Sequence, residues 1–212
     1  MSMRAVAPSL LAAAADAQFS AWHIFLADER YVHIDHADSN MGEWKARLLD
    51  QCAIPPSQIC PLDISLPLAD AATAYEAQLR SVCGGGVAAS GGEPPRVDLL
   101  LLGMGPDGHT TSLFPGHPLV EESGCWVATI SDSPKPPPSR ITLTLPCLNA
   151  SRTCLFVVTG GSKAPCVRDA FSPEPETPAG LVLATQRTHW MLDAPAAAEL
   201  VEDEAKQSAM YS

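Results

Sequence analysis

The stretch Val97–Pro118, VDLLLLGMGPDGHTTSLFPGHP, opens as an apolar run and breaks into glycines followed at once by His109. Its first part reads as a strand apolar on both faces, the pattern of a parallel strand buried between helix layers. Its middle, Gly103 to Gly108, spells G-x-G-x-x-G, which is also the spelling of a dinucleotide-binding turn. Such a turn needs a full helix directly after it, to set an N-terminus against a pyrophosphate, and then an acidic residue closing a second strand. Asp132 stands at a suitable distance, but Pro115, Gly116 and Pro118 leave room for only a short helical turn. The alternative is that the glycines bring backbone N–H groups close to an oxygen while His109 projects from the loop. A neutral imidazole at the mouth of a cleft takes a proton from water near neutral pH. A histidine after glycine also serves simply to cap a turn, and the residues by themselves leave both roles open.

Outward from this loop the chain alternates apolar runs with helical patterns. Trp22–Arg30 reads as a strand ending in a charged cluster, and Ser39–Cys52 as a helix with Ser39 or Asn40 as its N-cap. Gln58–Ser65 reads as a short strand. Leu68–Gly86 has helical periodicity and stops at three glycines, a C-terminal signal. Leu10–Ala17 reads as an alanine-rich helix, Cys125–Ser131 as a strand, and Ser133–Arg140 as a rigid loop that excludes helix. Strand then turn follows over Ile141–Ser151, and Arg152–Lys163 repeats a buried strand opening into glycines. Leu181–Ala205 supplies a strand or two and a final helix. Buried strands alternating with helices predict an α/β fold with a parallel sheet, whose ligands sit beyond the C-terminal strand ends. Three segments run out there into polar loops: DER at 28–30, GMGPDGH at 103–109 and TGGSK at 159–163.

The 212 residues suit one domain over 1–212, and the formal net charge of −11 repels phosphate backbones. Nucleic-acid binding is therefore not expected, whereas a small anion held by local cations is allowed. The seven cysteines form no C-x-x-C pair, so reduced, buried or half-buried thiols are expected and neither a structural zinc nor another metal site is. No apolar run is long enough to span a membrane. Near the N-terminus Asp16 and Gln18 directly follow the alanines, which argues against a secretory signal. A soluble, cytoplasmic protein is expected.

GMGPDGHTTSLFPGHP (103–118), FLADERYV (25–32) with DSN (38–40), and SPKPPPSRITLTLPCLN (133–149) together resemble the 6-phosphogluconolactonase family. VVTGGSK (157–163) and PAGLVL…HWMLD (178–193) fit the later part of the same family. The resemblance implies a Rossmann-like, mostly parallel sheet with helices on both faces. It implies hydrolysis of 6-phospho-D-glucono-1,5-lactone in the oxidative pentose phosphate pathway, by a monomer with no metal or organic cofactor. His109 becomes the general base, and Arg30 the arginine that stabilises the oxyanion, unless it merely pairs with Asp28 or Glu29. Asp107 orients the imidazole or closes an Asx-type turn, and with Gly108 joins the substrate-binding set. Arg140 and Lys163 are expected on the phosphate, the glycines before Lys163 resembling an anion nest. Lys135 either joins them or stays solvated, and Asn40 meets substrate hydroxyls or caps a helix. Related glucosamine-6-phosphate deaminases carry a catalytic glutamate where this chain has Phe114, which disfavours that activity. One departure stands out: the family's first strand and its GGST-like loop have no counterpart before Ser9. A shortened domain with a weakened phosphate site, or a sugar-phosphate-binding remnant, is the expectation that follows.

Overall fold

The computed structural model describes residues 7–8, 11–12 and 17–200. The helix expected over Leu10–Ala17 lies largely outside them, as does the end of the C-terminal helix. In chain order the main elements are β1 (Asp28–Arg30), α1 (Asn40–Arg47), α2 (Leu68–Cys83), β2 (Leu99–Leu102), β3 (Val127–Ile130), β4 (Arg140–Leu143), α3 (Leu145–Ala150), β5 (Thr153–Val158), α4 (Ala164–Ala170) and β6 (Arg187–Leu192).

The fold is α/β. Strands β2, β5 and β6 form a parallel sheet in that order, with Leu100 opposite Cys154 and Phe156 opposite Trp190. The return from β5 to β6 passes through α4, the kind of crossover that parallel pairing requires. Parallel pairing does not extend through the rest of the molecule. Strands β1, β4 and β3 form a separate antiparallel sheet, with Arg30 opposite Arg140 and Ile130 opposite that same arginine. The reason is the proline-rich loop: it joins β3 to β4 without a helix, and strands so joined fold back as a hairpin.

Other differences are local. Gln58–Ser65 contributes only an isolated bridge, Ile59 to Ile24, beside a 3₁₀ turn at Pro56–Gln58. The turn expected within Ile141–Ser151 is helix α3, started by Pro146, whose fixed φ and missing N–H suit a first helical turn. No strand forms at Leu181–Ala184, and residues 194–199 are turn rather than helix.

Helix α2 behaves as its pattern demands. Ala71, Tyr75 and Leu79 recur every fourth residue and are buried, and the helix stops at Gly84, where φ is +72°. It also supplies tethers. The Tyr75 hydroxyl accepts from the Leu26 N–H at 2.6 Å, and the Glu76 carboxylate accepts from the N–H groups of Trp126 and Val127. A large core runs through both sheets and includes Leu79, Leu102, Ile141, Leu148, Phe156 and Val167. A second, smaller cluster, including Phe19, Leu26, Met41, Leu48 and Ile54, lies beneath α1.

Glu29 fixes α1 to β1. Its buried carboxylate accepts from the N–H groups of Asn40 and Met41, both at 2.8 Å, and from the Ser39 hydroxyl at 3.1 Å. Ser39 is the N-cap, accepting from Gly42 N–H, and Asn40 is the first helical residue. Glu29→Ala strands those donors in the interior and is expected to cost about 1–3 kcal/mol. Urea unfolding with an unchanged m-value measures it.

Candidate active site

Strand β2 ends at Leu102, and the chain then turns tightly on itself. The Gly105 N–H donates to the His109 carbonyl at 2.8 Å, and the Gly108 N–H to the Gly105 carbonyl at 3.0 Å. Gly108 has φ +80°, and a Cβ there would strike the Thr177 side chain. A Cβ on Gly105 would fall within the His109 imidazole. The glycines therefore make room for this ring, and no helix follows them: Thr110 bridges Leu113, and only a 3₁₀ turn at Pro118–Glu121 comes next. Thr111 holds φ +51°, a left-handed conformation that costs a β-branched residue on the order of 1–2 kcal/mol. The Thr142 hydroxyl, 3.0 Å from that of Thr111, anchors it from β4.

Two charged groups, Asp107 and Lys135, converge on the His109 imidazole. Its Nδ1 is 2.5 Å from Asp107 Oδ1, and Lys135 Nζ is 3.0 Å from Asp107 Oδ2 and 3.0 Å from the same Nδ1. Burial favours a neutral Asp107, but hydrogen bonds from His109 and Lys135 outweigh it and hold the carboxyl at about 2. Asp107 is thus ionised, and two acceptors cannot approach so closely without a proton between them. Nδ1 carries that proton, and Nε2 is left with its lone pair. Burial lowers the imidazole's own pKa, Asp107 opposes this, and Lys135 adds to it, so the ring stays neutral at pH 7. Phe114 packs under it, ring centroids 4.7 Å apart, with Lys135 and Arg140 both within 6 Å of that phenyl ring.

A cavity of about 300 Å³ opens between the two sheets. Arg30 from β1, Asn40 from α1, His109 from the loop and Arg140 from β4 all line it, together with Asp28, Gly105 and Thr111. Sequence reasoning anticipated the first four and missed Asp28, Gly105, Thr111 and the Phe114 platform. Gly108 and Lys163 do not line this cavity, and Lys135 and Asp107 reach it only through His109.

Arg30 does not form the alternative ion pair with Asp28 or Glu29. Its Nη1 donates to the Asp38 carbonyl at 2.7 Å, and its buried Nε has no acceptor among the described residues. Glu29 is committed to the helix, and Asp28 accepts from Ser112 Oγ at 2.9 Å and from Asn40 Nδ2. Arg140, only 3% exposed, grips the proline-rich loop: Nε donates to the Pro137 carbonyl, and Nη2 to those of Lys135 and Pro136. Its Nη1 reaches Ser112 Oγ. The Gly160 N–H, expected to greet a foreign anion, instead holds the Asp193 carboxylate at 3.0 Å. Lys163, which ends the 3₁₀ turn Gly161–Lys163, has no ion-pair partner among the described residues. Burial lowers its pKa, and the charge of Lys135 lowers it further against the pull of Asp193.

Among the described residues no three His, Cys, Asp or Glu side chains are grouped to hold a metal, and no helix is long and apolar enough to cross a membrane. The cysteines are all free thiols; Cys147 and Cys154, fully buried, are pushed up to about 12.

The family model for glucosamine-6-phosphate isomerases/6-phosphogluconolactonase matches residues 2–190. The chain belongs to this family. It is 43% identical over 206 residues to the 6-phosphogluconolactonase of Homo sapiens, covering 96% of this chain and 78% of the human protein. Against the Rattus norvegicus 6-phosphogluconolactonase it is 46% identical over 192 residues, covering 90% of this chain and 72% of the rat protein. The crystal structure of 6-phosphogluconolactonase from Thermotoga maritima superposes with a TM-score of 0.75 at 30% identity, over 88% of this chain and 79% of that one. The family's α/β architecture is therefore shared, with the glycine loop at its parallel strand end.

Proposed function

We propose that the chain hydrolyses 6-phospho-D-glucono-1,5-lactone to 6-phospho-D-gluconate, in the oxidative pentose phosphate pathway. The observation that carries this reading is the Asp107–His109 pair, its imidazole neutral, at a cavity lined by Arg30. His109 Nε2 takes a proton from water as the oxygen attacks the lactone C1. The carbonyl oxygen gains the negative charge, and the Arg30 guanidinium offsets it. The C1–ring oxygen bond then breaks, and the imidazolium returns its proton to the leaving oxygen. Asp107 keeps the ring in the required tautomer throughout. Asn40 holds sugar hydroxyls, Arg140 supports the sugar–phosphate end of the cavity, and Lys163 with Lys135 meets the phosphate. Gly108 shapes the loop. Every step uses groups the chain itself carries. We further read the chain as one cytoplasmic, monomeric domain that binds no nucleic acid and no membrane.

A lactonase assay on freshly generated substrate tests the activity, alongside ammonia release from glucosamine 6-phosphate. Rapid lactone opening with no ammonia is expected; ammonia release, or no rate above spontaneous hydrolysis, overturns the reading. The pH profile adds a second check. Because the imidazole's pKa is lowered, kcat/KM is expected to be flat around neutrality and to fall on an acid limb centred below 6.5. Asp107, at about 2, stays ionised across that range and leaves the limb to His109. A limb centred above 6.5 would contradict the charge arrangement described.

A further inference from the structure

Lys135 occupies an unusual position for a residue expected merely to meet substrate. Its backbone cannot move far: the carbonyl accepts from Arg140 Nη2 at 2.7 Å and from Ser133 Oγ at 2.9 Å, and the next two carbonyls are also on Arg140. Its side chain, 39% exposed, carries the ammonium on four methylenes to an ion pair with Asp107 at 3.0 Å. That side chain points back at the Asp107–His109 pair, and it is close enough to Lys163 for the two charges to repel. Two cations so arranged, one half-buried and unpaired, suit a phosphate dianion, which competes for an ammonium better than a single carboxylate does.

We propose that Lys135 is a substrate-responsive positioning residue: its ammonium shares Asp107 with His109 until the substrate's phosphate draws it away, leaving Asp107 to the imidazole alone. The base is thereby strengthened when substrate is seated and weakened when the site is empty. This deepens the lactonase reading above and rests on it. The other charges facing His109 are fixed in place. Asp28 on β1 is bonded to Ser112 and Asn40, Arg30 to the Asp38 carbonyl, and Arg140, across Phe114, to the loop carbonyls. Cys166, on α4, touches the Pro106 carbonyl beside Asp107 and carries no charge, burial having raised its pKa. Lys135 is therefore the group whose movement changes the field at Nδ1.

The test follows the His109 imidazole by ¹⁵N NMR through a pH titration, with and without saturating inorganic phosphate. It compares the natural chain with Lys135→Met and Lys135→Arg. Phosphate is expected to raise the His109 pKa of the natural chain by about half to one unit, the scale of one nearby charge removed. Lys135→Met is expected to show that raised value without phosphate and less than half the shift on its addition. Lys135→Arg, which keeps the charge, is expected to restore the lower starting value. An unchanged pKa in phosphate-free Lys135→Met, or an equal phosphate shift in it and the natural chain, overturns the proposal. The titration needs no turnover, so a chain without lactonase activity would still give a decisive result here.

Discussion

His109→Ala is expected to lower kcat by about 100- to 10,000-fold, the range a positioned general base contributes. The side chain is partly exposed and lies in a loop, so the fold survives its removal and the melting temperature barely moves. What disappears is the one neutral base on the cavity wall; Asp107, held at about 2, is far too weak to replace it. Residual activity would come from Arg30 acting on the oxyanion and from substrate orientation alone. The measurement is a lactonase rate corrected for spontaneous opening. A variant as fast as the natural chain would remove His109 from the mechanism.

Gly105→Ala is expected to be nearly as damaging, although it changes no chemical group. The residue is not in a left-handed conformation, so the backbone accepts alanine. The new methyl group, however, would occupy the place of the imidazole and press on the Asp107 carboxylate. The ring must turn away, and a displacement near 1 Å costs about 100-fold in rate. The loss is expected in kcat, with phosphate affinity retained, because Lys163 is untouched. NMR would show the cause directly: the strongly deshielded Nδ1 proton shared with Asp107 should vanish. Full activity in this variant would mean that the glycines serve something other than the ring.

Which parts of this arrangement the amino-acid order reveals follows from their range of interaction. Pro115, Gly116 and Pro118 act on their own backbone, so the absence of a nucleotide-binding helix after Gly108 was legible. The periodicity of Leu68–Cys83 and the unbroken apolar run of Leu99–Leu102 depend on local burial and were equally clear. That run also marked its strand as parallel, but the direction of Val127–Ile130 and Arg140–Leu143 was hidden, because these antiparallel strands are buried on both faces too; the helix-free link from Ile130 to Arg140 was the available clue. Roles set by distant partners were hidden as well. Nothing near Glu29 announces that it will serve the N-terminus of α1 rather than neighbouring Arg30, and Lys135 meets His109 across 26 positions of chain. Phe114 was noticed for the glutamate it replaces, not for the ring it supports. The family resemblance pointed to Arg30, Asn40, His109 and Arg140, which line one cavity, but did not supply these contacts.

The two apolar clusters divide the candidate active site between supports of unequal strength. His109 and Arg140 stand over the large core, whereas Asn40 and the cap that orders it depend on the small cluster around Met41 and Leu48. Regions with fewer buried contacts open locally at lower free energy than the whole molecule unfolds. Gentle warming is therefore expected to disable substrate binding before the protein melts. Backbone amides at Met41 and Leu48 should exchange with deuterium sooner than those at Phe156 and Val158. In a cell, the useful lifetime of such an enzyme would be set by its smaller support, while the base itself remained intact.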